Sequence, residues 1–535
     1  MVVYIKVTTT AKDVPPTFVT QHAEDVIGVL CGFDRLRLKG TLRALYRPEF
    51  MMKYLSRQSV LLKDFAAFAQ GWTERVRGAA QQLAQESSLP LTYLAGSSQR
   101  KEALAREQAS RLGIRSGLLG IWSVVEPCLT YFARRDAQQK KLVLKLEPGK
   151  CLHYYFYFLH DQLGLLHLRL QTWFPFGIHL CVNGRHWLAR QMDEAGLDYV
   201  QRENCFPWLQ DPVKAQELAS AQLKSCWPML LQPLVEQCHP HSVELCRQLG
   251  FSYYWSVSES EYATDVMFKT PAALARLYPA LVHQGIKHFG STDVLRFLGH
   301  KVQANGRVNE NYQGQILTSL KHRPEGLRLR HEANGNSVKL YDKQGSVLRV
   351  ETTLNRPHEF RVYRASERDP EQKKRWQVLR KSVGDLHRRA EIGEAINARY
   401  LQALASVQPK ASAGAVAQRV CQPIRKQGRR YRALNPWSTK DAALLEVIAR
   451  GEWMLSGFRN RDLRAALYPG KASAVQQRRQ TGKVTRALAL LRAHGLIKKV
   501  PGSYRYQVTP HGRKIITALL AAHQADVEKL TSLAA

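Results

Sequence analysis

Apolar and polar residues alternate with two different periods along this 535-residue chain, and each change of period marks an element. Residues 27–33 (IGVLCGF) form an apolar run suited to a buried strand. Residues 36–42 (LRLKGTL) alternate like a strand with one solvated face, and Asp34 and Arg35 stand between the two. Residues 54–85 have helical periodicity, 91–94 read as a short strand and 100–111 as a helix. Residues 117–128 form a second apolar strand, which Pro127 should stop. Strands alternating with helices predict an α/β sheet over 1–135.

The segment 136–300 opens on three arms of period two. Tyr154, Phe156 and Phe158 fall on one face, and His153, Tyr155 and Tyr157 on the other. After a turn at 161–164, Leu166, Leu168 and Leu170 oppose His167, Arg169 and Gln171. In the third arm Ile178, Leu180 and Val182 oppose His179, Cys181 and Asn183. Helical stretches follow over 184–195, 213–249 and 271–298. In 301–407 the clearest feature is a β-meander over 326–364, with a two-residue hairpin at Asn334-Gly335 and a tight turn at Lys343-Gln344-Gly345. Arg328, Arg330, Lys339, Tyr341, Arg349 and Glu351 then share one face; Leu329, Val338, Leu340, Leu348 and Val350 share the other. Residues 371–407 read as a long basic helical region. No internal repeat is evident in the sequence.

The last hundred residues, 437–535, read as helices over 440–450, 458–469 and 474–494, two strands around Pro501-Gly502 and a closing helix from Pro510 to Leu530. The fold class expected is therefore α+β and multidomain: an N-terminal α/β domain, antiparallel β-meander domains with helices, a basic linker over 408–436 and a C-terminal winged helix.

Charge then points to a partner class. The chain carries 79 Lys+Arg against 44 Asp+Glu, a formal net charge of +35. Seven basic residues and no acid lie in 408–436, and 17 basic against 6 acidic residues lie in 437–535. A surplus of this size repels itself in the folded state, and a polyanion is the natural reason to carry it. No apolar run reaches the ~20 residues of a membrane span, and the N-terminus has no signal-peptide core. A cytoplasmic protein without a membrane partner is expected. Nine cysteines without a C-x-x-C pair argue against a disulfide framework; Cys238, His239, His241 and Cys246 are the one run of soft ligands in the sequence. No phosphate-binding G-x-x-x-x-G-K-[ST] and no G-x-S-x-G elbow occurs.

Four resemblances carry more specific expectations. The stretch VTRALALLRAHGLIKKVPGSYRYQVTPHGR resembles the MarR-like winged-helix family. That resemblance implies base-reading residues among Arg478, Arg479, Lys483 and Arg486 and wing contacts from Lys498, Lys499, Ser503 and Arg505. Blocks such as LHLRLQTWFPF and NGNSVKLYDKQGSVLRVETT resemble those of an uncharacterised family of long bacterial proteins, over nearly the whole chain and with no activity attached. The element order around Asp34 resembles an RNase H-like fold, which implies Asp34, Glu126, Glu261 and Asp265 as carboxylates around Mg²⁺ or Mn²⁺, with Glu261 and Asp265 one helical turn apart. The segment from Ser337 to Asn355 is similar to rolling-circle replication initiators, which implies Tyr341 as a nicking nucleophile beside Glu351, with His153 and His167 on another polar face. Against these catalytic readings stands a binding platform: Tyr155, Tyr157 and Tyr341 stacking on bases, with Arg169, Arg328, Arg330, Lys339 and Arg349 on phosphates. A nucleic-acid-binding protein, for DNA and for RNA or single strands, in a mobile element or ribonucleoprotein, is the leading expectation. A transcription regulator is the simpler alternative.

Overall fold

The computed structural model describes residues 16–523 and 525, apart from 97–98, 139, 301, 303–311, 313, 324–325, 366–373, 406–419, 427, 454–456 and 471. Strands from 1–135, 136–300 and 301–407 all enter one eleven-stranded sheet. Its strands are β1 (Val26–Thr41), β2 (Leu91–Tyr93), β3 (Gly117–Asp136), β4 (Lys141–His160), β5 (Gly164–Gln171), β6 (Ile178–Asn183), β9 (Tyr254–Phe268), β10 (Ile316–Arg323), β11 (Gly326–Ala333), β12 (Asn336–Lys343) and β13 (Val347–Leu354). A side hairpin, β7 (Tyr199–Arg202) with β8 (Cys205–Leu209), falls between β6 and β9 in the chain. Across the sheet the order is β10-β11-β12-β13-β9-β1-β6-β5-β4-β3-β2. Neighbours are antiparallel except β2 and β3.

That order contains a repeat of connectivity. In one half β1 leads through helices into the meander β3–β6, whose last strand returns to pair with β1. In the other half β9 leads through helices into the meander β10–β13, whose last strand returns to pair with β9. The two leading strands pair antiparallel at the middle of the sheet.

The period-two pattern decides which face each residue takes. The apolar back is covered in the first half by α2 (Pro48–Arg57), α3 (Phe65–Glu86), α7 (Trp227–Cys238) and α8 (Ser242–Leu249), with Tyr54, Trp72 and Val76 packed on Leu38, Phe156 and Leu168. In the second half α9 (Pro271–Lys287), α10 (Ser291–Phe297) and α11 (Leu386–Leu404) bury Leu274, Leu281 and Ile396 against Leu329, Val338, Leu340 and Val350. The polar front is partly roofed. Over β3 and β4 lies α4 (Lys101–Leu112); over the centre lie α5 (Gly184–Glu194), α6 (Pro212–Ala221) and β7–β8. Gly184 lets α5 start hard against β1, since a Cβ there would sit 2.0 Å from the Phe33 carbonyl oxygen.

Several expectations are corrected. The two strands read around Asp34 are one strand, because a β-bulge takes up the polar pair without ending the ladder. Pro127 does not stop β3: β2 pairs only with Ile121–Ser123, so at Pro127 the outer edge has no strand to bond and the missing N–H costs nothing. Residues 254–268, which place Glu261 and Asp265, form the central strand β9 and not a helix, because β-branched and aromatic residues are buried on both faces. Among the described residues of the basic region 371–407, only Leu386–Leu404 is α-helical; Arg375–Val378 (β15) pairs with Arg361–Arg364 (β14), and 371–373 and 406–407 lie outside the described residues. In the basic stretch 408–436, Ile424–Lys426 (β16) and Arg429–Tyr431 (β17) form a hairpin, while 408–419 lie outside the described residues.

The C-terminal unit has its own core. It comprises α12 (Thr439–Ala449), α13 (Asn460–Leu467), α14 (Ala474–Ala493), the hairpin β18 (Ile497–Lys499) with β19 (Tyr506–Val508), and α15 (Pro510–His523). Leu445, Ile448, Leu463, Val484, Leu488, Leu491, Ile515 and Leu519 pack together within it. Ser438 caps α12 and Ser473 caps α14, each accepting a backbone N–H. Arg296 of α10 reaches Glu452 at 3.7 Å, which ties this unit to the sheet domain.

Candidate functional site

The middle of the front is a closed network of charges. The bulge sets Asp34 and Arg35 of β1 against Glu261 of β9. Arg349 of β13, fully buried, forks onto Asp265 with Nε–Oδ1 2.6 Å and Nη2–Oδ2 2.9 Å. Its Nη1 donates to Asp34 Oδ1 at 2.8 Å and its Nη2 to the Asn204 carbonyl at 2.6 Å. Asn204, in the β7–β8 turn, donates its side-chain amide to both oxygens of Asp34. From α5, Arg185 reaches Asp265 Oδ2 at 2.9 Å. Beside this, Lys339 Nζ bridges Glu261 (2.8 Å) and Glu351 (2.7 Å), and Arg35 lies 3.8 Å from Glu261. Four carboxylates face four cations, so the cluster is close to neutral.

The electrostatics follow from that pairing. Burial opposes ionisation of Asp34, but Arg349, Arg185 and Arg35 outweigh it and hold the carboxyl below its ordinary range. Burial and the neighbouring Glu261 push Glu351 up, against Lys339. Oxygens of Asp34, Glu261 and Glu351 lie within 4.8 Å of one another, a grouping that could hold a cation, yet the Lys339 ammonium bridges two of the three.

A second polar cluster sits toward the β3 edge. Tyr155 donates to both Glu126 oxygens (3.0 and 2.8 Å), Arg169 Nε donates to Glu126 at 2.9 Å, and Lys101 of α4 lies 3.6 Å away. These partners hold Glu126 below its ordinary range despite burial. Between the two clusters runs a cleft of about 420 Å³, lined by Arg35, Arg106, His167, His186, Asn204 and Lys343 among others.

The structure thus joins three of the four expected acids and separates the fourth. Asp34, Glu261 and Asp265 converge on one network. Glu126 does not, because β6, β5 and β4 lie between its strand and β1, which is about 19 Å at the usual strand spacing. Glu261 and Asp265 share a sheet face rather than a helix face. The open stacking platform is also corrected. Tyr157 (4 % exposed) is sealed under α4 against Trp122 and His167, and Tyr341 (6 %), Lys339 (7 %) and Arg349 (0 %) are buried. Burial raises the Tyr341 hydroxyl to about 12, a poor setting for a nucleophile. Tyr155 and Arg169 are engaged by Glu126; Arg328 and Arg330 are half-buried, with Arg330 on Glu332. Cys238 and His239 are buried in the α7 region, whereas His241 faces Arg75, so that run does not form a ligand set.

Arg185 and Asn204 escape sequence reading, since a helical Arg and a turn Asn carry no signal for a burial that only the sheet creates. In the C-terminal unit the expected residues are where a ligand can reach them: Arg478, Arg479, Lys483 and Arg486 are exposed along α14, as are Lys498 and Lys499 on the hairpin. Ser503 bonds the Val500 carbonyl, and Arg505 reaches the Gly457 carbonyl at 3.4 Å.

Replacing Arg349 by Met strands Asp34 and Asp265 without their fork, and an uncompensated buried charge costs about 3–5 kcal/mol. Urea unfolding should show that loss, with Arg349→Lys recovering little because an ammonium cannot fork. Four front histidines set an acid limit. Burial lowers His153, His167 and His186 to about 4 and His179 to about 3. Their neutral forms stabilise the fold fully above the unfolded value of 6.5, and that stability is lost as pH falls through the folded values. Melting temperature should therefore drop steadily from pH 7 to pH 4, and His179→Gln should flatten the drop.

No family model matches the chain, and neither curated proteins nor solved structures yield a match, so what it does must come from its own residues.

Proposed function

We propose that this chain binds nucleic acid, and that α14 with the β18–β19 hairpin is its duplex-DNA contact, used as a MarR-like winged helix uses its third helix and wing. The observation that carries this reading is the row Arg478, Arg479, Lys483 and Arg486: all four are exposed, and among the described residues none of them is in an ion pair. Cations without protein partners are free to replace counterions on phosphate. A third helix capped at Ser473 and backed by Val484, Leu488 and Leu491 presents that row on a rigid support. The net charge of +35 adds long-range attraction and suits RNA or single strands on the body, as in a ribonucleoprotein or a mobile element.

The test is the salt dependence of duplex binding. Changing Arg478, Arg479, Lys483 and Arg486 to Ala should lower the slope of log affinity against log salt by up to about 0.9 per lost phosphate contact, roughly 3–4 in total. An unchanged slope would remove α14 from the contact.

A divalent-metal nuclease is the second reading, favoured by the approach of Asp34, Glu261 and Glu351 within 4.8 Å. For catalysis an ion would have to displace the Lys339 ammonium from between Glu261 and Glu351. Labelled DNA and RNA incubated with Mg²⁺ or Mn²⁺ decide it. Binding without cleavage is the expected result; cleavage abolished by Asp34→Ala would instead place a nuclease at the sheet centre.

A further inference from the structure

At the β3 edge the sheet front carries a group that neither the central network nor the DNA contact uses. β4 pairs with β5 only over His153–His160, whereas β3 and β4 pair on to Asp136 and Lys141. Beyond β5 they run as a two-stranded ribbon. At its root, Cys128 stands opposite Gly149 and Cys151 opposite Glu126, which makes the two cysteines diagonal neighbours on one face. Their sulfurs are 3.3 Å apart and both thiols are free. His153 lies on the same face two residues along, with Nδ1 4.0 Å from the Cys151 sulfur, and ligand atoms of all three residues fall within 4.8 Å of one another. His153 is 1 % exposed; its Nδ1 also lies 3.1 Å from the Cys151 carbonyl, and its Nε2 has no hydrogen-bond partner among the described residues. Nδ1 is the nitrogen beside the sulfurs and would ligate an ion there, which leaves the ring proton on Nε2.

We propose that Cys128, Cys151 and His153 bind one divalent transition-metal ion of zinc's class, with solvent at the fourth position, and so cross-link β3 to β4 at the root of the ribbon. Two thiolates and an imidazole are a ligand set for zinc and its soft neighbours, and a poor one for Mg²⁺ or Ca²⁺. At Zn–S distances of about 2.3 Å a tetrahedral ion wants its sulfurs about 3.8 Å apart, so the pair need move by only about half an ångström. A disulfide would need them at about 2.05 Å. Both thiols release their protons to solvent on binding. Arg169, bonded at 2.9 Å to the Glu126 that faces Cys151, places positive charge beside the sulfurs.

Full-length protein, purified under reducing conditions and stripped with chelator, is titrated with Co²⁺. One equivalent should give thiolate-to-cobalt charge transfer and the visible bands of a tetrahedral site. Cys128→Ser and Cys151→Ser should each abolish these bands, and His153→Gln should weaken Co²⁺ binding roughly tenfold or more. Cys226→Ser, at an exposed cysteine elsewhere, should leave them intact. Alkylation of the unaltered protein needs no variant: zinc should slow modification of Cys128 and Cys151 but not of Cys226. Equal alkylation with and without zinc, bands that survive both serine variants, or a Cys128–Cys151 disulfide in place of metal would overturn the site. None of these outcomes depends on nucleic-acid binding.

Discussion

The sheet is organised around one guanidinium. Arg349 is fully buried, and its donors meet Asp265 on β9, Asp34 on β1 and the Asn204 carbonyl at the β7–β8 turn. Those contacts fix three strands and a roofing hairpin in one geometry. A buried cation of this kind is a constraint before it is a source of stability, because desolvating the charges consumes most of what their attraction returns. Its value lies in what it forbids. A one-residue slip of β13 against β9 would turn Arg349 to the apolar back and leave two aspartates without a partner. The bulge at Asp34 belongs to the same constraint, since it turns two successive charged residues toward the network.

Around that centre the two halves have the same connectivity and different chemistry. Each is a leading strand, a helical layer and a four-stranded meander. The second half closes its polar face with ion pairs between its own strands, as Lys339 does with Glu261 and Glu351. The first half closes its face with a helix and aromatic packing: α4 covers Trp122 and Tyr157, and Glu126 is satisfied by Tyr155 and Arg169. Much of the polar front is therefore interior, and its cations are already neutralised. Among the described residues, Arg478, Arg479, Lys483 and Arg486 of α14 are exposed and in no ion pair. That division is why the duplex-DNA contact is proposed for the C-terminal unit rather than for the meanders.

Much of the fold was legible because period two and period 3.6 are local. The faces of β4, β5, β6, β12 and β13 read off their alternation, and Asn334-Gly335 set its turn through residues that accept positive φ. The helices of the C-terminal unit and the caps at Ser438 and Ser473 were equally plain. The strand β9 was not, because burial on both faces erases the alternation that identifies a half-exposed strand. The repeat was hidden for a related reason: it resides in which strands pair, and pairing leaves no periodic mark.

What the sequence by itself determined was the local alternation, the turns and the surplus of positive charge. Only the tertiary structure decided which charges are spent. Lys339, Tyr341 and Arg349 look in sequence like the contact face of a binding sheet, and burial makes them structural. Cys128 and Cys151 are 23 residues apart in the chain and match no ligand spacing, yet antiparallel pairing of β3 with β4 brings their sulfurs to 3.3 Å. The physical reason is the same in both cases: solvation and proximity belong to pairs of distant residues, and a linear pattern records neither.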